Sequence, residues 1–253
     1  MSSTPYQDTY SAALVIIGNE ILSGRTQDTN TMWIAERLTD KGLVLSEVRV
    51  IPDIEGTIIS TVNELRQKYD HVFTTGGIGP THDDITTDSV AKAFGVDVER
   101  NAEAFRMLEE HYGLMELTAP RSKMSLIPVG ATLIPNPVTA APGFTLENVH
   151  VMAGVPRIMQ AMFDHILSTI KAGKTVLSNT VNCTISESIL AEGLEFIQNQ
   201  YPFVSLGSYP HFRGGAMGLS LVLRSTDMET LEKATQEVID LIRRHGEEPR
   251  ALS

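Results

Sequence analysis

A chain of 253 residues, 42% hydrophobic and 20% charged, is long enough to bury a sizeable core and too apolar to be disordered. Its net charge of -11 argues against nucleic acid as a partner, and no apolar run approaches the roughly 20 residues of a membrane-spanning helix. The single cysteine, Cys183, excludes an internal disulfide framework, and the N-terminus has no signal-peptide pattern, so a cytoplasmic protein is expected.

In chain order, Ala12 to Gly18 is a short apolar, β-branched run that reads as a buried parallel strand. A helix with Ile34 and Leu38 on one face follows the cap-like Asp28-Thr29-Asn30 and ends at Gly42. Leu43 to Ile51 alternates like a strand, and Glu55 to Tyr69 places Ile58, Val62, Leu65 and Tyr69 at helical spacing. His71 to Thr75 is a third strand running into a glycine-rich turn. A helix starts near Thr86 and stops at Gly95, and Asn101 caps another. Then come a strand at ATLIPN, a hairpin around Glu147-Asn148, and a helix with Pro156 in its first turn and Ile158, Met162, Ile166 and Ile170 as its apolar stripe. Met152, Met159 and Met162 read as core filling. Lys171 to Lys174 reads as a linker, which places one domain over residues 1–173. The second, over residues 174–253, is a small α+β module of strand–helix–strand–strand–helix order. The first domain is expected to be a three-layer α/β/α fold with a mostly parallel sheet, in which ligands sit at the carboxyl ends of the strands.

Those ends carry the chemistry. Gly76, Gly77 and Gly79 follow a strand, so the backbone can adopt left-handed conformations and bring its N–H groups close to a phosphate. The turn matches neither the P-loop nor the dinucleotide-binding pattern. Asp83 and Asp84 beside a phosphate would repel it unless a divalent cation lay between them; the plainer reading makes Asp84 a helix cap. At the other edge, Gly18-Asn19-Glu20 opens a polar loop in which Glu20 and Asp28 are candidates for a metal- or ribose-binding set, and Ser23 and Asn30 for donors to ligand oxygens. Arg25 and Lys123 are the candidates for countering ligand charge, and His82 is a weaker one for proton transfer. The histidines show no metal-ligand spacing, and no nucleophile elbow is present.

GNEILSGRTQDTN at 18–30, VIPD at 50–53 and TTGGIGPTHDDIT at 74–86 closely resemble the molybdopterin-binding (MoaB/MogA-like) family. Within it the sequence is most similar to the competence/damage-inducible protein CinA and to the N-terminal domain of eukaryotic FAD synthase. NPVTAAPGF at 136–144 and AGVPRIMQAMF at 153–163 extend the resemblance. It implies a phosphate-cradling set of Thr75, Gly76, Gly77, Gly79, Pro80 and Thr81, with Gly18, Asn19, Ser23, Asp28, Asn30 and Asn136 as further ligand contacts beside the Lys123 candidate. It also implies Asp83, Asp84 and Glu20 as catalytic residues, with Asp83 and Asp84 holding a divalent ion (Mg, Mn, Co or Ni). The activity implied for this branch is metal-dependent hydrolysis of a nucleotide diphosphate bond, in ADP-ribose or FAD. The other members imply binding of molybdopterin or its adenylylated form, and a third expectation is a family member without catalysis. The small phosphorylated nucleotide or pterin is the expected partner, in a homo-oligomer, dimer or trimer. Two departures stand out. Thr139-Ala140 replaces the Gly-Thr of the usual NP-x-GTAPG, and Ile158 stands where PGVP-x-EM carries glutamate. Residues 175–245 resemble the KH-like module of CinA, but they carry no basic face that would imply RNA binding.

Overall fold

The structure is a computed structural model that describes residues 6, 8–213 and 216–252. The chain packs as two compact units, one built from Tyr10–Thr39 and Leu43–Ala172, the other from Gly173 onward together with Asp40–Gly42.

The first unit begins with β1 (Tyr10–Ile17), a four-residue helix α1 (Asn19–Leu22), α2 (Asn30–Asp40), β2 (Leu43–Ile51), α3 (Glu55–Lys68) and β3 (His71–Thr75). It continues through α4 (Thr86–Phe94), β4 (Val98–Arg100), α5 (Ala102–Tyr112), a 3-10 turn (Leu114–Glu116), α6 (Ala119–Lys123) and β5 (Leu126–Pro128). β6 (Thr132–Ile134), β7 (Gly143–Leu146), β8 (Val149–Met152) and α7 (Pro156–Thr169) complete it. The sheet order is β2-β1-β3-β8-β7-β6. β2, β1, β3 and β8 run parallel, β7 pairs antiparallel with β8, and β6 pairs antiparallel with β7.

β1 is buried on both faces, and successive strand side chains point to opposite faces. Ala13, Val15 and Ile17 therefore pack with Ile58, Val62 and Leu65 of α3 and Val90 of α4. Ala12, Leu14 and Ile16 pack with Ile34 and Leu38 of α2 and with Met159, Met162 and Phe163 of α7. Two cores on either side of one sheet make the α/β/α layering. The register aligns the strand ends, since Ile17 pairs with Ile51, Ile16 with Thr75, and Thr75 with Met152. Gly18, Pro52-Asp53, Gly76-Gly77 and Ala153-Gly154 thus leave the sheet at one edge. The chain passes from β1 to β2 on one side, and β3 lies on the other, which is where a crevice opens.

Two local expectations are corrected. The buried stripe of α7 is Met159, Met162, Phe163, Ile166 and Leu167; Ile158 is only half-buried, and Ile170 lies just past the helix end. Met162 and Ile166 of the expected set stand at its centre, while Ile158 and Ile170 pack partly buried against the same core. Asp84 is not a helix cap: α4 starts at Thr86, and Ile85 in the capping position contributes no side-chain bond. Asp28 does cap α2, its Oδ1 accepting from the N–H groups of Asn30 at 2.9 Å and Thr31 at 3.2 Å. Asn101 caps α5 in the same way.

The second unit runs β9 (Leu177–Cys183), α8 (Glu187–Gln200), β10 (Ser205–Arg213), β11 (Ala216–Ser225), α9 (Met228–Arg244) and β12 (Arg250–Leu252). Its antiparallel sheet has the order β10-β11-β9-β12 and packs Val181, Leu221 and Leu223 against Leu190 and Leu194 of α8 and Leu231 and Val238 of α9. Sequence pattern missed β12, which is only three residues long.

Candidate functional site

A cleft of about 600 Å³ opens at the carboxyl edge of the parallel strands. Its floor is the glycine turn. Gly76 and Gly77 both adopt positive φ, at 104° and 69°. A Cβ on Gly76 would run into the carbonyl oxygen of Ile17, and one on Gly77 into Oγ1 of Thr86. Thr86 is why the turn passes so close: its N–H donates to the Gly77 carbonyl at 2.9 Å and its hydroxyl to the Gly76 carbonyl at 3.0 Å. The Gly76 N–H is spent on Met152 O. The N–H groups of Gly77, Ile78 and Gly79 have no partner among the described residues and remain as donors for an anion.

Asp83 and Asp84 stand beside this floor, held together by Thr81. The Thr81 hydroxyl lies 2.5 Å from Asp83 Oδ1 and 2.6 Å from Asp84 Oδ2, and the Thr81 N–H donates to Asp84 Oδ2 at 2.8 Å. The Thr81 hydroxyl and then a backbone N–H hold the Asp83 carboxyl below its usual range. Two more carboxylates line the cleft. Glu20 is carried by α1, and Asp53, just past the end of β2, accepts from the Asn19 N–H at 2.9 Å.

The expected residues separate into three groups. Glu20, Gly76, Gly77, Gly79, Pro80, Asp83, Asp84 and Asn136 line the cleft. Asp28, Asn30 and Thr75 line an adjoining cavity of about 60 Å³, of which Glu20 is also a wall. Gly18, Asn19, Ser23, Thr81 and Lys123 line neither, and each has a local role instead. Gly18 N–H ties the end of β1 to Ile51 O. Asn19 N–H positions Asp53, and the Ser23 hydroxyl donates to Glu20 O. Lys123 Nζ donates to the carbonyls of Thr81 at 3.0 Å and Asp84 at 2.8 Å, so it braces the acidic loop from outside. Asn136 reaches the cleft wall with its amide fully engaged, Nδ2 on Thr139 and Ala141 and Oδ1 on the N–H groups of Val138 and Thr139. It shapes the loop in which Ala140 takes a positive φ of 59°. Arg25 lies outside the cleft lining, and the His82 side chain is almost wholly exposed, 4.0 Å from Asp83.

Sequence reasoning missed Asp53, Tyr112 and Arg121. Arg121 is the one cation among the described cleft-lining residues. It lies over the Tyr112 ring at 4.3 Å and donates to the Glu116 carbonyl. Asp53 stands in the VIPD motif at a strand end, a signal that was present; Tyr112 and Arg121 come from α5 and α6, whose approach to the sheet edge no local pattern announces.

Among the described residues no three His, Cys, Asp or Glu side chains form a closed metal cage. The adjacent Asp83 and Asp84 carboxylates suit an ion that completes its shell with phosphate oxygens and water, as Mg²⁺ does.

Fold and site together define an α/β protein with a phosphate-suited cleft at the carboxyl edge of its sheet. The chain belongs to the family of probable molybdopterin-binding domains, whose model matches residues 13–172; residues 175–249 match the family described as FAD synthase, middle domain. A Pyrobaculum arsenaticum protein is 41% identical over 61% of this chain, and the match spans only 60% of that relative's length. An Aeropyrum pernix protein is 33% identical over 94% of both chains. Among solved structures, CinA from Thermoplasma acidophilum, described as of unknown function, is 34% identical with a TM-score of 0.60, covering 63% of this chain and 97% of that one.

Proposed function

We propose that this chain is a divalent-metal-dependent hydrolase that cleaves the diphosphate bond of an ADP-ribose-like or FAD-like dinucleotide. The observation that carries the reading is the meeting, in one cleft, of unpaired N–H groups on the glycine turn with four carboxylates. Backbone donors of this kind suit a diphosphate, whereas Glu20, Asp53, Asp83 and Asp84 without a counter-ion would repel it.

In this mechanism the N–H groups of Gly77, Ile78 and Gly79 hold the diphosphate oxygens. Arg121, already fixed against Tyr112, offers its remaining N–H groups to the same charge. Asp83 and Asp84 would hold the ion, which supplies charge neutralisation and polarisation of the phosphoryl group. Glu20 or Asp53 orients a water and takes its proton. The water oxygen bonds to one phosphorus, the bond from that phosphorus to the bridging oxygen breaks, and the bridging oxygen leaves with the other phosphate. ADP-ribose would thus give AMP and ribose 5-phosphate.

The test offers ADP-ribose and FAD to the purified chain with Mg²⁺, Mn²⁺, Co²⁺ or Ni²⁺, beside an Asp84→Ala variant. Metal-dependent release of AMP that vanishes in the variant is the expected result. No turnover with any metal would overturn the hydrolase reading for these substrates.

A second reading, molybdopterin binding without hydrolysis, draws on one feature. Ile78, Met124, Val155 and Ile158 give the cleft an apolar wall, with Ile158 at the position where the CinA pattern carries glutamate. Such a wall suits a planar ring. Retention of a fluorescent pterin by purified protein that hydrolyses nothing would favour it.

A further inference from the structure

The last strand of a sheet presents a row of N–H and C=O groups with nothing beside them, and natural proteins blunt such edges. Three of the four edge strands of the two larger sheets are blunted. β6 and β12 are three residues long, and β10 carries Pro210, which has no N–H to offer. β2 is the exception, nine residues from Leu43 to Ile51 with no proline and no lysine. Its one irregularity, Ser46, is bulged out of register and leaves Glu47 to Ile51 regular. The Gly18 N–H donates to the Ile51 carbonyl, so the Ile51 backbone faces β1. Alternation then turns the N–H and C=O groups of Val48 and Val50 to the open edge. The side chains of these two residues are open as well. They pair with Leu14 and Ile16 and so point to the α2 and α7 face, yet they remain 40% and 37% exposed.

The charges on the opposite face fit one partner, a second copy of this chain. Glu47 and Arg49 flank Val48 with opposite signs. A two-fold axis at Val48, with two β2 strands antiparallel, sets each Glu47 opposite the partner's Arg49 and each Val48 beside the partner's Val48. Both charged side chains are already held in place. Glu47 accepts from Arg49 Nε at 2.6 Å, Lys68 Nζ at 2.8 Å and the Tyr69 hydroxyl at 2.6 Å, and Glu64 grips the Arg49 guanidinium from α3. These bonds use three of the five N–H groups of Arg49, so two are left to meet a carboxylate across the edge. We propose that β2 is the interface of a two-fold homodimer, in which two six-stranded sheets join edge to edge about Val48. The Val48 N–H of each copy donates to the Val48 carbonyl of the other, and the Glu47–Arg49 pairs fix the register. This interface is independent of what the cleft binds.

The test is sedimentation of the full chain over roughly 1 to 200 µM, the range in which an interface as small as one strand pair associates. At the upper end wild type should sediment at twice the mass of one chain. Glu47→Arg and Arg49→Glu each place like charges opposite one another across the axis, and Val48→Lys places two ammonium groups at its centre. Each alone should weaken self-association roughly 100-fold. Glu47→Arg mixed with Arg49→Glu should pair about as tightly as wild type, because one strand is then wholly positive and the other wholly negative. A variant that had merely lost its fold could not be rescued in this way. Wild type that stays monomeric throughout would overturn the proposal. So would self-association that all three substitutions leave unchanged, or a mixture that associates no better than its components.

Discussion

The two edges of the cleft use the same kinds of residue in opposite ways. In the turn from Gly76 to Asp84, the N–H groups of Gly77, Ile78 and Gly79 have no partner among the described residues, and two neighbouring carboxylates line the cleft. In the loop from Gly18 to Asn30, most polar groups serve the loop itself. Asp28 caps a helix, the Ser23 hydroxyl donates to a carbonyl, and the Asn19 N–H holds Asp53. Only Glu20 and Thr26 from that loop reach the main cleft. Glycine makes the difference: where the backbone carries the donors the motif is itself the site, and where side chains carry them, capping and turn closure claim them first.

That contrast can be broken most sharply at Gly77. Gly77→Ala places a Cβ against Thr86 at a φ of 69°, so it should cost on the order of 1–3 kcal/mol of stability and abolish nucleotide binding. A variant that melts like wild type and still binds ADP would show that the turn is not the anion cradle. Thr81→Val removes the hydroxyl that holds Asp83 and Asp84 together. On the proposed mechanism hydrolysis should fall roughly 10- to 100-fold, the usual cost of losing a group that supports metal ligands, with excess metal restoring part of the rate.

A control away from both edges is the buried pair His71 and His150, whose Nδ1 and Nε2 lie 3.1 Å apart. Burial first, and the neighbouring His71 second, push His150 down to about 3, and burial also lowers His71. The unfolded chain therefore binds protons that the folded chain refuses. Stability is full above about pH 6.5 and falls as pH drops from there toward 3. Melting curves between pH 7 and pH 5 should show the loss, and His150→Phe, which stays within the stack on Phe73, should flatten it. The smallest effect is expected at the first loop: Ser23→Ala should change stability by no more than about 0.5 kcal/mol and leave hydrolysis intact. A large loss of activity there would mean that the two edges are more alike than their hydrogen bonds indicate.

Legibility followed the same division. β1 was readable because a strand buried on both faces is a nearly continuous apolar run, and the glycine turn after β3 because its constraint is local. The order of the cleft's remaining walls was not. Asp53 reaches the cleft through the register between β1 and β2, and Arg121 through packing of α5 and α6 near the sheet edge. Lys123, a natural candidate for ligand charge, is instead spent on two carbonyls, a partner choice made only when residues 39 and 42 positions apart meet. Composition reveals which groups exist; tertiary contacts decide which stay uncommitted.

The alternation of β1 between two cores bears on how this protein can change over time. Deleting or inserting one residue in Ala12–Ile17 would exchange the side chains facing α3 and α4 with those facing α2 and α7, and would shift Gly18 by a strand step against Gly76. Length drift in that strand is thus penalised twice, by packing and by loss of the crevice. The segment carrying Tyr112 and Arg121 lies outside the six-stranded sheet and bears no such double constraint. Divergence in the shape of the cleft has its easiest route there, by lengthening or replacing one wall while the glycine-turn floor is kept.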